Sequence, residues 1–277
     1  MFRKGLVSIA VAAAFGWSPA SDAQVFDFGK YPDWSGQWDR ADSGPPRYDP
    51  HKPGGRGQQA PLTPEYQANF EASIADMAAG GQGNLTTFRC LPTGMPRAMA
   101  GASPMEFIFT QGITYILFEN TGTYQPRRIY TDGRNWPDEE PAFSGYSIGK
   151  WLDSTGSGRY DLLVVETRNM KGPRVYDTSG LPLHRDNQTI IRERIYLDKA
   201  DPDLLHDEMT TFDHALTRPW TADKTFKRLR KVIWTDDNCN EGNRYVALGT
   251  EMYYVNADGH LMPVKKGQAV PDLRYFK

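Results

Sequence analysis

Over most of the chain, apolar and polar residues alternate with a period of two, in short runs separated by turn residues. Met105 to Thr110 and Ile113 to Glu119 flank Gln111-Gly112, and Arg127 to Thr131 runs into Asp132-Gly133. Both dipeptides are turn signals. Tyr146 to Leu152 and Tyr160 to Arg168 flank Ser154-Thr155-Gly156-Ser157-Gly158. Thr189 to Asp198, Leu204 to Phe212, Thr225 to Thr235 and Arg244 to Val255 continue the pattern. This spacing predicts about nine strands joined by short turns. Consecutive hairpins pair antiparallel, and closing such a sheet on itself removes its exposed edges. The expected fold is therefore all-β, an antiparallel barrel of the lipocalin or calycin type. A β-sandwich is the alternative.

One segment has a helical period instead. Tyr66, Phe70, Ile74 and Met77 fall on one helical face. Thr63 suits the N-cap, Pro64 the first helical position and Glu65 the positive end of the helix dipole, while Gly80-Gly81 ends the run. A leading helix over 64–79 is predicted, within a single barrel domain spanning 61–277. Residues 24–60 hold no period; they are rich in Gly, Pro, Asp and Trp, and read as an extended segment anchored by Trp34 and Trp38.

The start of the chain changes the setting. Arg3 and Lys4 precede an apolar run from Leu6 to Trp17, followed by Ser21-Asp22-Ala23. That is the pattern of a cleavable secretory signal over residues 1–23, too short to remain as a membrane span. Cleavage after Ala23 is expected to deliver the chain to the periplasm or the exterior. Removing Arg3, Lys4 and Asp22 from 32 basic and 34 acidic residues leaves 30 against 33. A near-neutral balance argues against a nucleic-acid partner. No second apolar run suggests stable membrane insertion, and the sequence carries no signal for an oligomeric state. In an oxidising compartment the two cysteines, Cys90 and Cys239, read as one disulfide, with two separate buried thiols as the alternative.

Phosphate loops, H-E-x-x-H and EF-hand patterns do not occur in the sequence. Candidate chemistry therefore rests on single residues. Glu166 continues the row of Leu162 and Val164, and Glu193 sits among Ile191, Ile195 and Leu197. A carboxylate in an apolar row pairs with a cation or carries a raised pKa, as general acids do. Both belong either to structural ion pairs or to one barrel lumen. Arg127 and Arg128 point to opposite faces, so closure of the barrel turns one of them inward, where it needs a partner or a ligand. Arg194 alternates with Arg192 beside Glu193. Arginine suits carboxylate or phosphate groups. His184-Arg185-Asp186 and Asp213-His214 each set a carboxylate near an imidazole. A metal site built from His184, His206 and His214 has no ligand spacing to recommend it, so no metal and no cofactor is assigned. Tyr146, Trp151 and Trp220 serve either as core or as the wall of a ligand cavity.

Arg127 to Arg134 (Arg-Arg-Ile-Tyr-Thr-Asp-Gly-Arg), Gly145 to Trp151 (Gly-Tyr-Ser-Ile-Gly-Lys-Trp), Leu163 to Thr167, Glu193-Arg194-Ile195 and Thr217-Arg218-Pro219-Trp220 together resemble a widespread, mostly uncharacterised family of secreted bacterial proteins. Gly180 to His184, Cys90 to Arg97 and Cys239-Asn240-Glu241 extend the resemblance over roughly residues 86 to 245. Two departures stand out. Ser157-Gly158-Arg159-Tyr160-Asp161 replaces the family's acidic Gly-Asp turn, and Asp213-His214 stands where the family has Asp-Pro. The resemblance implies export and relatedness without a reaction.

The expected partner is a small, largely apolar molecule with an anionic or oxygenated end. Arg128, Tyr146, Trp151, Glu193, Arg194 and Trp220 are the candidate ligand contacts. If the chain is an enzyme, cofactor-free acid/base chemistry (hydration, dehydration, isomerisation or hydrolysis) would fall to Glu166, His184, Asp213 and His214. The alternative is a non-catalytic ligand-binding or envelope interaction protein.

Overall fold

The computed structural model describes residues 26–41, 60–86, 89–101, 103–119, 125–232, 234, 239 and 244–271. The expected signal segment and its cleavage site lie outside them. Nine strands close into a barrel. They are β1 (Gln37–Arg40), β2 (Met105–Thr110), β3 (Ile113–Phe118), β4 (Arg127–Tyr130), β5 (Tyr146–Leu152), β6 (Leu162–Arg168), β7 (Ile190–Leu197), β8 (Leu204–Phe212) and β9 (Trp220–Leu229). Helix α1 (Pro64–Ala78) precedes β2, with Thr63 accepting the Tyr66 N–H, and a single turn, α2 (Arg97–Ala100), follows it. A separate sheet of β10 (Tyr245–Leu248), β11 (Glu251–Val255) and β12 (Leu261–Pro263) ends the described chain. Among the described residues no helix is long and apolar enough to cross a membrane.

The barrel is mixed rather than wholly antiparallel: β4 and β5 run parallel, and every other neighbouring pair is antiparallel. Parity requires this. In a ring of nine strands the number of antiparallel pairings must be even, so at least one pairing is parallel. It falls between β4 and β5. Residues 131–145 separate β4 from β5, whereas a two-residue turn separates β2 from β3. A parallel return needs such a crossover.

Three other departures from the sequence pattern have local causes. The Trp-rich segment is part of the barrel itself: β1 pairs with both β2 and β9, and Trp34 and Trp38 are fully buried. Strand β9 starts at Trp220 instead of Thr225 because Lys224 points inward, which breaks the apolar alternation before Phe226. The run Arg244 to Val255 contains a hairpin turning at Gly249-Thr250, outside the barrel.

Inward side chains form the core, among them Trp38, Met105, Ile116, Ile129, Trp151, Leu163, Ile195, Met209 and Phe226. Gly149 faces inward on β5, where a Cβ would approach Ile129 Cγ2 to 2.6 Å. Its missing side chain gives Ile129 that space. Tyr176, Leu181 and Leu183, from the segment between β6 and β7, are buried against the barrel, with the Tyr176 ring 4.5 Å from Trp220. Cys90 and Cys239 form a disulfide with their Cα atoms 5.7 Å apart.

Candidate functional site

Strand alternation gives the β5–β9 wall two faces. Across the inner face, register aligns Gly149, Val165, Glu193, Met209 and Ala222, and beside them Trp151, Leu163, Ile195, Asp207 and Lys224. Across the outer face it aligns Ile148, Glu166, Arg192, Thr210 and Thr221, then Lys150, Val164, Arg194, Glu208 and Asp223. Glu166 and Glu193 thus lie on opposite sides of the sheet and do not share a lumen.

Inside, Arg127 is the arginine that turns inward. Its Nη1 donates to Glu193 Oε1 at 2.7 Å, its second Nη donates to the other Glu193 oxygen, and the same nitrogen donates to Thr167 Oγ1 at 3.0 Å. Ser147 Oγ lies 3.4 Å from the guanidinium and 2.8 Å from Thr167 Oγ1. Both members of the pair are 2% exposed. Glu193 is consumed by this contact, so it is a structural partner rather than a ligand contact. Arg128 is exposed on the other face.

Asp207 was not singled out by its sequence context, yet it is a second lumen carboxylate, wholly buried, with neither oxygen hydrogen-bonded. Full burial, then the nearby Glu193 carboxylate, push its pKa well above the ordinary aspartate value, against the opposing pull of Arg127 and Lys224. The sign follows from linkage. The folded state keeps a proton that the unfolded chain has lost, so this group's contribution to stability falls as pH rises from the ordinary aspartate pKa through the raised one. The Asp207→Asn variant is expected to gain stability relative to the native chain at pH 8 and to show a smaller gain, or none, near pH 4. Urea unfolding at the two pH values checks this; equal differences at both would count against a protonated Asp207.

Outside, Glu166 accepts from Arg192 Nε at 2.7 Å and pairs with Arg168. Burial pushes this carboxyl up, but the two guanidinium hydrogen bonds outweigh it and hold the pKa below the ordinary value. The expected raised-pKa acid is therefore an ion-paired carboxylate. Arg194 donates to Glu208 at 3.2 Å, and the Tyr196 hydroxyl donates to the same carboxylate at 2.8 Å. A groove of about 580 Å³ runs over this face, with Ile148, Val164 and Phe212 as apolar floor and Lys150, Arg192 and Arg194 as cations. A second groove of about 700 Å³ lies between Tyr160, Leu162 and Tyr196 and also reaches Arg194. Arg194 is the residue common to both. Trp151 and Trp220, by contrast, are core: Trp151 donates to Thr114 inside the barrel, and Trp220 packs on Tyr176. Tyr146 stacks on Tyr130 and accepts from Arg134 on the outer surface, away from the lumen.

Three of the four acid/base candidates meet on two loops. Asp213 accepts the backbone N–H groups of His184 at 2.9 Å and Ala215 at 2.8 Å, and the Thr189 hydroxyl at 2.5 Å. It thereby ties the loop after β8 to the loop before β7. Arg174 adds hydrogen bonds to the His184 carbonyl and Thr189. Asp186 then lies between two imidazoles, its Oδ2 3.0 Å from His184 Nδ1 and 2.5 Å from His214 Nδ1. Burial opposes ionisation of Asp186, but His214, the Gln188 N–H and His184 bring its pKa down to about 2. The same hydrogen bond raises the pKa of His214. His206 is elsewhere, between Asp223 and Asp198 and stacked on Tyr196.

Comparison with protein-family models returns no match, and no curated protein matches the chain. Arg127, Ser147, Thr167 and Glu193 come from four different segments and form one buried network.

Proposed function

We propose that the chain is an exported barrel that binds a small amphipathic molecule along the outer face of β5–β8, with the anionic or oxygenated end at Arg194. The observation that carries this reading is the meeting of two grooves at Arg194, one of them floored by aliphatic and aromatic side chains and edged by three cations. Concave apolar surface with a few placed polar groups is the usual form of a small-molecule site. The amino-terminal pattern and the disulfide support an exported location. The paired state of Glu166 favours binding over proton transfer on this face, because a carboxylate held ionised by two arginines is a poor acid.

Calorimetric titration with dodecanoate and with dodecanol tests the proposal. A charged hydrogen bond contributes roughly 1.5–3 kcal/mol. Arg194→Met should therefore weaken dodecanoate binding by about tenfold or more, and should change dodecanol binding little. Glu166→Gln should tighten dodecanoate binding, since it removes a carboxylate that competes for Arg192 and Arg168. Equal affinities across the three proteins would refute the assignment.

A further inference from the structure

We propose that His184, Asp186 and His214 form a binding site for a first-row divalent metal ion of the zinc type, with at least one coordination position open to solvent. The inference is independent of the groove on the outer face.

One donor atom from each of the three side chains lies within 4.8 Å of the other two. Their contacts are specific. A single carboxylate oxygen, Asp186 Oδ2, faces one imidazole nitrogen at 3.0 Å and another at 2.5 Å. His184 Nδ1 also accepts the Asp186 backbone N–H at 3.2 Å, a contact that a metal ion on that nitrogen would replace, because its single lone pair serves one or the other.

The donor set favours the metal. Two imidazoles and one carboxylate are borderline and hard ligands suited to zinc and its neighbours, and three protein ligands leave the fourth tetrahedral position for water. Donors about 2.0–2.2 Å from a tetrahedral ion stand about 3.4 Å apart. His184 and Asp186 are already close to that spacing. His214 must move out by somewhat under 1 Å, roughly the difference between its contact and that spacing, and its exposed ring has room to do so. The surrounding bonds resemble the outer support of a metal centre. Asp213 fixes the backbone at His184 and Ala215, Arg174 holds the His184 carbonyl, and the Gln188 N–H donates to Asp186 Oδ1 at 3.0 Å. Two loops separated by strands β7 and β8 are thus locked together so that their imidazoles converge. A water held in the open position would be acidified and polarised by the ion.

The test uses the full exported chain, stripped with chelator and titrated with zinc chloride by calorimetry, with metal content measured on the dialysed protein. One zinc per chain is expected, with affinity in the micromolar range or tighter. Asp186→Asn and His214→Gln should each weaken it by about tenfold or more, and each variant's unmetallated melting curve confirms that it folds. His206→Gln is the control, because His206 also stands between two aspartates. Zinc should raise the melting temperature of the native chain and of His206→Gln, and leave Asp186→Asn unchanged. Failure to bind below millimolar zinc would overturn the proposal, as would binding that Asp186→Asn and His214→Gln leave intact or that His206→Gln abolishes.

Discussion

Replacing Arg127 with methionine should destabilise the fold by about 3–5 kcal/mol, because it strands the Glu193 carboxylate inside the barrel without its cation. For a chain of this size that is a fall in melting temperature on the order of 10 °C. Glu193→Met should be comparably damaging in the opposite sense, leaving a buried guanidinium. The double variant Arg127→Met/Glu193→Met should recover most of the loss, since desolvation of the pair offsets much of its Coulomb attraction. Ser147 and Thr167 still satisfy each other at 2.8 Å when the guanidinium is gone. Chemical denaturation of the three variants gives the coupling energy directly. A double variant as unstable as the sum of the single ones would mean that the pair acts through packing rather than charge.

The second large effect is the disulfide. The bond between Cys90 and Cys239 spans 149 positions and encloses β2 through β9. The chain-entropy model assigns a loop of that size roughly 5 kcal/mol, an upper figure because residual structure in the unfolded chain reduces it. The Cys90→Ser/Cys239→Ser protein should unfold at much lower urea than the oxidised native chain. Adding reductant to the native chain should shift it toward the variant and leave the variant itself unmoved. A variant as stable as the native protein would show that the bond constrains little.

The strands were legible because alternation is a direct consequence of a sheet with one buried face. Met105–Thr110, Tyr146–Leu152 and Leu204–Phe212 could be delimited from it to the residue. The pattern failed where polar side chains occupy inward positions. Lys224 concealed the first half of β9, and Asp207 was passed over although it alternates with Leu205 and Met209. Strand β1 was hidden for a different reason: four residues cannot establish a period, and its burial comes from Trp38 rather than from any repeat. The need for an inward arginine followed from closure alone, but choosing Arg127 over Arg128 required the register. Glu166 looked internal because it continues the apolar row of Leu162 and Val164, and Val164 turns out to floor an outer groove. His184-Arg185-Asp186 and Asp213-His214 were visible as two fragments. Their convergence on Asp186 depends on how two loops meet at one end of the barrel, and sequence spacing does not encode that.

The seam that closes the barrel joins its first strand to its last. Gln37 lies opposite Leu229, 192 positions later (229 minus 37), while β1 meets β2 through the single pair Trp38 and Met105. Contacts so distant in sequence bear the full entropy of loop closure before they return any stabilisation, and such topologies fold slowly. Trp34 finds Phe107, Phe109 and Trp151 once β2 and β5 are present, but one edge of β1 has no neighbour until β9 has been made. Closure therefore waits on the last strand of the barrel, and until then both β1 and β8 present an open edge to any neighbouring chain.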